Sequence, residues 1–255
     1  MDEDVITAVV TDLTVSIYLE RFLDLHKMII SDIQQRKKWN VAEFCHPRCP
    51  EVIGEWKQDP YQKNLKIEDC PIKFPGSELR VPDFVPSVYQ SLLDMILTYD
   101  QALFPDSYPS MYVYLTITQS HVGPGKVQRV PGWHVDGYQK AHERTPLEIQ
   151  HQYAITNCLP TSFHLSGLDI KQLPKKMFFE TLARTCKDEW AAQPYEIHLL
   201  NSFCPHRPVE AKTEHDRWFV RLSFSQVPFT RKGNTINPLF DYTWDHKTKK
   251  EFYRG

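Results

Sequence analysis

A histidine and an aspartate stand two residues apart in the run Gly132-Trp133-His134-Val135-Asp136-Gly137. In an extended strand, residues i and i+2 point to the same face, so His134 and Asp136 can reach one metal ion. The same period turns Trp133 and Val135 toward a packed layer, and Gly137 leaves room beside the metal. About seventy residues on, Cys204-Pro205-His206 offers a second imidazole on an extended approach. Two imidazoles and one carboxylate on one side of a metal leave coordination positions open for reactants. His164, His198 and His215 are the rival histidines. His198 sits inside Glu196-Ile197-His198-Leu199 and reads as a core residue, whereas His215 lies in a charged loop.

An anion clamp follows on the chain. Arg221-Leu222-Ser223 lies in an apolar strand pattern, with Val220 on its other side. An arginine facing a protein interior requires an anion, because an unpaired buried charge is very unfavourable. Its planar fork matches a carboxylate in two contacts. Ser223 shares the Arg221 face and adds a hydroxyl donor. Arg217 shares that face too, but it adjoins the loop-like Glu214-His215-Asp216, so Arg221 is the expected clamp.

The ordered set His134, Asp136, His206, Arg221 and Ser223 resembles the Fe(II)/2-oxoglutarate-dependent dioxygenases, over about residues 110 to 230. The resemblance implies a double-stranded β-helix, or jelly roll, with flanking helices. It implies His134, Asp136 and His206 as iron ligands. It also implies Arg221 with Ser223 at the distal carboxylate of 2-oxoglutarate. Arg221 lies 15 residues past His206, which requires Glu210 to Asp216 to form a long hairpin loop. The near carboxylate of the cosubstrate calls for a polar side chain from an adjacent strand. Asn157 and Tyr114 are expected there, with Gln152 and Thr116 as further candidates. The implied reaction is hydroxylation of a C–H bond in a small-molecule substrate by O₂. Two alternatives stay open: a non-catalytic jelly-roll binding protein, and a cupin-type metal enzyme that uses no keto acid.

These side chains need elements to hold them. Residues 13 to 37 repeat apolar positions at helical spacing, and 86 to 104 do so through Val88, Leu92, Met95, Ile96, Tyr99 and Leu103. Between them, 40 to 82 is broken by Pro47, Pro50, Pro60, Pro71 and Pro75 and reads as a long irregular segment. Met111 to Thr118 alternates cleanly, with Tyr112, Tyr114, Thr116 and Thr118 on a polar, aromatic face suited to a ligand-holding interior. Strands are expected at 126–138, 152–157, 163–165, 195–203 and 218–227, and a helix at 174–192 with Met177, Phe178, Leu182 and Trp190 buried. Gln128 and Arg129 precede the metal-bearing strand and can approach substrate, though surface positions on a hairpin are the plainer reading.

With 255 residues and no linker-like stretch, the chain reads as one domain over 1–255. Its jelly-roll core spans approximately 105–230, between an N-terminal helical segment and a C-terminal tail. Thirty basic and 32 acidic residues leave a net charge of −2, so no positive field recruits nucleic acid or membrane. No apolar run approaches the roughly 20 residues a membrane span requires. The acidic start Met1-Asp2-Glu3-Asp4 is unlike a secretory signal. Six cysteines are too few for a disulfide scaffold at this length, and reduced thiols in the cytoplasm are the expectation. Cys45-His46-Pro47-Arg48-Cys49 invites a zinc reading but lacks a second ligand pair, with only the isolated Cys70 to complete it.

Overall fold

The computed structural model describes residues 40–45, 50–129, 131–136, 149–167 and 178–245. The chain divides into two compact units, Met1–Lys37 and Lys38–Gly255, and all the described residues belong to the second. The helix expected at 13–37 and most of the Cys45–Cys49 motif lie outside the described residues.

Unit two is mainly β. Its strands are β1 (Glu51–Glu55), β2 (Lys66–Lys73), β3 (Tyr112–Val122), β4 (His151–Thr156), β5 (Ser162–His164), β6 (Glu189–Ala191), β7 (Glu196–Asn201), β8 (His206–Arg207) and β9 (His215–Ser225). Six form one antiparallel sheet in the order β1-β7-β4-β9-β3-β2, and three form a smaller one, β6-β5-β8. The strand β9 runs between β3 and β4 and is buried on both faces along most of its length.

Alternation sorts the side chains of β9. Trp218, Val220, Leu222 and Phe224 point to one face, where they join Val113, Leu115 and Ile117 of β3 and Tyr153 and Ile155 of β4 in the core. The helix α1 (Gln90–Leu103) packs on this face through Leu92, Leu93, Ile96 and Leu97. Its Asp100 is buried too, and accepts hydrogen bonds from His151 (2.6 Å) and from the Tyr153 hydroxyl (2.8 Å). Of the expected stripe, Leu92 and Ile96 are buried. Val88 and Met95 are exposed, and a carboxylate occupies the inner line instead. The opposite face of β9 carries Arg217, Phe219, Arg221 and Ser223, opposite the polar residues of β3 and β4.

Several expectations change. The segment 40–82 contains β1 and β2, both edge strands. Pro71 is tolerated there because β2 is bulged on either side of it and lies at the sheet edge. The expected helix at 174–192 shortens to α2 (Phe178–Thr185), and Trp190 belongs to β6, where it packs on Phe163. The region expected as the metal-bearing strand forms no regular ladder among its described residues: His134 makes an isolated bridge to His206. Among the described residues no helix is long and apolar enough to cross a membrane.

Candidate metal centre

His134 and His206 exchange both backbone hydrogen bonds at 2.8 Å, which sets the two imidazoles side by side with ring centres 4.5 Å apart. Each ring is held the same way. The Nδ1 of His134 is 3.0 Å from the Gly132 carbonyl, and the Nδ1 of His206 is 2.9 Å from the Cys204 carbonyl. A carbonyl only accepts, so Nδ1 carries the proton in both rings and Nε2 keeps its lone pair. Gly132 reaches this position at φ 86°, in the left-handed region where a side chain is strained.

Asp136 completes the group. Its Oδ2 lies 3.7 Å from the Nε2 of His206, and one ligand atom from each of the three residues falls within 4.8 Å of the other two. Among the described residues this is the one such cluster of three or more. Gln152 donates to Oδ2 at 2.6 Å and Arg221 at 3.2 Å. Burial alone raises the Asp136 carboxyl, but Arg221, then His206 and His134, outweigh it and hold the group well below the usual carboxylate range. Burial, with His134 beside it, pushes His206 down to about 4. The site therefore presents a carboxylate and a neutral imidazole at neutral pH, the protonation states a divalent metal requires. Two imidazole nitrogens and a carboxylate suit a first-row divalent ion, so the residues present fit the group the sequence implied.

The expected clamp is engaged elsewhere. Arg221 bonds Asp136 through Nη1 and Asp69 of β2 through Nη2, at 2.9 Å for the latter. These two carboxylates raise its affinity for its proton although burial opposes it. Arg221 thus meets protein carboxylates, and acts as a bracket on a metal-ligand candidate. Asp69 is fixed in turn by Thr116, whose hydroxyl donates to it at 3.0 Å, and by Arg231 at 3.5 Å. Asp69 has φ 42°, within the β2 irregularity.

Arg217 shows the opposite arrangement. It is only 3% exposed, yet it has no carboxylate partner among the described residues. Its Nε donates to the carbonyls of Cys158 (3.0 Å) and Leu159 (3.3 Å), and Nη1 donates to the Gln128 side chain. Burial lowers its pKa to about 10, and neighbouring Arg129 contributes in the same direction.

These groups line one half-open cavity. Its walls include His134, Asp136, His206, Gln152, Arg129, Arg217, Phe219 and Arg221. Ser223 lies just beyond, buried, opposite Gln152; its Oγ and the Oε1 of Gln152 both lack a partner. Asn157 and Tyr114 do not line the cavity. Asn157 accepts from the Trp218 N–H and donates to the Asp216 carbonyl, closing the end of β9. Tyr114 stacks on Phe229 at 4.0 Å, and its hydroxyl accepts the Phe229 N–H. The rival histidines are placed away from the centre: His198 pairs with Glu196 at 3.2 Å, His164 is within 3.2 Å of the Leu182 carbonyl, and His215 contacts Thr213. Cys70 is buried and its thiol is pushed up to about 12 by that burial, which suits a core residue.

Asp69 is the residue the sequence reading does not bring forward; its one signal is the acid pair Glu68-Asp69 inside an otherwise apolar run. Arg129, for which a hairpin surface is the plainer expectation, lines the cavity.

No family model matches the chain, and no curated protein matches it by sequence. Among solved structures it is similar to EvdO2 from Micromonospora carbonacea var. aurantiaca complexed with 2-oxoglutarate, at 13% identity and TM-score 0.33 over 55% of this chain and 64% of that one. It is similar to an oxidoreductase of the 2OG-Fe(II) oxygenase family from Burkholderia pseudomallei, at 11% identity and TM-score 0.35 over 78% of both chains. A third is full-length Neurospora crassa T7H in complex with alpha-KG, at 10% identity and TM-score 0.34 over 81% of this chain and 73% of that one. The chain spans 27% of EvdMO1 and 64% of EvdO2. Its structural neighbours thus include 2OG-Fe(II) oxygenases, at low identity and low TM-score.

Proposed function

We propose that this chain is an Fe(II)- and 2-oxoglutarate-dependent oxygenase with a double-stranded β-helix core, acting on a small-molecule substrate. The observation that carries this reading is the convergence of His134, Asp136 and His206 on the cavity that Arg217 also lines, a buried guanidinium with no carboxylate partner among the described residues. The overall reaction converts R–H, O₂ and 2-oxoglutarate into R–OH, succinate and CO₂.

His134, Asp136 and His206 hold the metal. Fe(II) bound there supplies O₂ chemistry that side chains lack. The Gly132 and Cys204 carbonyls keep both rings in the Nε2-ligating tautomer. Gln152 and Arg221 orient Asp136 and keep it ionised. Arg217 takes the distal carboxylate of the keto acid, in place of Arg221, whose fork is filled by Asp69 and Asp136. Its own fork retains Nη2, which makes no hydrogen bond with the described residues, and Gln128 braces the other nitrogen. An ion pair in this dry setting offsets the burial of the Arg217 charge.

One observation favours a second reading. Arg221 pairs with protein carboxylates, as in a metal enzyme of related fold that uses no keto acid. Arg217 weighs against it. Mixing the protein with Fe(II) and 2-oxoglutarate under anaerobic conditions decides between them. The oxygenase gives a metal-to-ligand charge-transfer band that disappears in His134→Ala. Stoichiometric Fe(II) binding without that band refutes the keto-acid reading and leaves the second one.

A further inference from the structure

We infer that Arg129 anchors an anionic group of the substrate, a carboxylate or a phosphate, within this same cavity; the inference rests on the oxygenase reading. Arg129 forms part of the cavity wall next to Arg217, Phe219 and Arg221. Its guanidinium carbon lies 5.3 Å from the centre of the Phe219 ring, and that of Arg217 lies 5.4 Å from the same ring. Phe219 thereby fixes the position of both cations without neutralising either. Arg129 makes no hydrogen bond and no ion pair with any described residue.

Among the described residues, the acids nearby already have arginine partners. Asp136 and Asp69 both bind Arg221, and Glu68 is 3.8 Å from Arg231, which also approaches Asp69. Among the described residues, setting the Arg231–Glu68 pair aside, three guanidiniums therefore confront two carboxylates. A divalent metal and a dianionic keto acid cancel one another when both are bound. One positive charge then remains in the cavity, and Arg129 is the group that carries it. Burial, and Arg221 close by, lower its pKa, and the pull of Asp136, Asp69 and Glu68 in the other direction does not outweigh them. An anion delivered with the substrate relieves that deficit, and the fork accepts a carboxylate or phosphate in two contacts. A neutral substrate leaves that charge without a partner in the cavity.

The test uses full-length protein loaded with Mn(II), which supports binding without turnover, and saturated with 2-oxoglutarate. It is titrated calorimetrically with benzoate, phenyl phosphate and neutral benzyl alcohol. At least one of the two anions is expected to bind, and which one binds more tightly assigns the substrate class. Arg129→Met is expected to weaken that anion about tenfold or more, Arg129→Lys less, with benzyl alcohol unaffected. The Kd for 2-oxoglutarate is expected to stay within about threefold in both variants, within what a change outside the cosubstrate contacts produces. The inference is overturned if neither anion binds the wild type, or if Arg129→Met binds them equally well. Loss of 2-oxoglutarate binding in Arg129→Met also overturns it, since Arg129 then belongs to the cosubstrate clamp. If wild-type protein takes up no 2-oxoglutarate, the oxygenase reading fails. The anion titrations are then made on the Mn(II) protein alone, where the Arg129→Met comparison still decides for or against the anchor. Arg129→Lys keeps the comparison available should Arg129→Met fail to fold.

Discussion

At the scale of single residues, three arginines on one cavity divide by their partners. Arg217 has no carboxylate, so Arg217→Met is expected to weaken 2-oxoglutarate binding about tenfold to a hundredfold while leaving Mn(II) binding nearly intact. Arg221→Met is expected to do the reverse, because it releases Asp136. Asp69→Asn removes the charge behind Arg221, and loss of such an outer partner typically lowers metal affinity 10- to 100-fold. Equilibrium dialysis of Mn(II) and calorimetry of 2-oxoglutarate on the three variants separate these roles; equal losses of both ligands in all three refute the division. His206 adds a pH signature in the metal-free protein. Its folded pKa is about 4, against an ordinary 6.5. As pH falls below 6.5 the unfolded chain takes up a proton that the folded site refuses. Stability is therefore complete above about pH 6.5 and declines toward pH 4, by about 3 kcal/mol. Asp136, also depressed, acts in the same direction at lower pH. Urea unfolding in the presence of a chelator is expected to show a shallower pH slope for His206→Gln than for wild type. Identical slopes reject the assignment.

At the scale of elements, α1 is held to the sheet by more than its apolar stripe. Asp100 receives both His151 and Tyr153 from β4, and all three are buried. Asp100→Ala strands two buried donors, each worth about 1–3 kcal/mol when unsatisfied. A loss of about 2–5 kcal/mol in unfolding free energy is expected, with Mn(II) affinity unchanged because the metal lies on the other face of the sheet. A large change in Mn(II) affinity would show that the two faces are coupled. The strand β2 contributes differently. Its irregularity at Asp69 turns an acid from the sheet edge toward Arg221, a task that a regular ladder position at this residue does not perform.

At the scale of the whole unit, the candidate metal centre joins segments that are far apart in sequence. His134 and Asp136 come from an irregular run, His206 from the smaller sheet, and Arg221 and Gln152 from the larger one. A metal bound at that junction adds stability by mass action, about 2.7 kcal/mol at a hundredfold excess over Kd. Mn(II) is expected to raise the Tm of the wild type, with no such rise in His134→Ala or Asp136→Ala, and these variants are expected to keep the fold of the parent. An equal rise in all three places the metal elsewhere.

The sequence by itself brings forward the three residues that converge, His134, Asp136 and His206, and the sheet faces. Residue types and the two-residue period identify His134, Asp136 and the inner line of β9, because those signals are local. The apolar alternation of β3 and β9 is likewise local, and both strands form over most of the expected residues: β3 continues past 118 to Val122, and β9 starts earlier, at His215, and stops at Ser225. Only the tertiary structure decided which arginine is free. Arg217 and Arg221 share a face, so parity does not separate them; what does is Asp69, 152 residues away from Arg221 in the chain. The same holds for Asp100, which a search for apolar stripes passes over and which β4 makes a core residue. For Arg129 the sequence leaves open a hairpin surface or an approach to substrate, and it lies on the cavity wall, where β9 brings Phe219 beneath it. Partner choice among charged groups depends on contacts between distant segments, and no local pattern in a single chain encodes it.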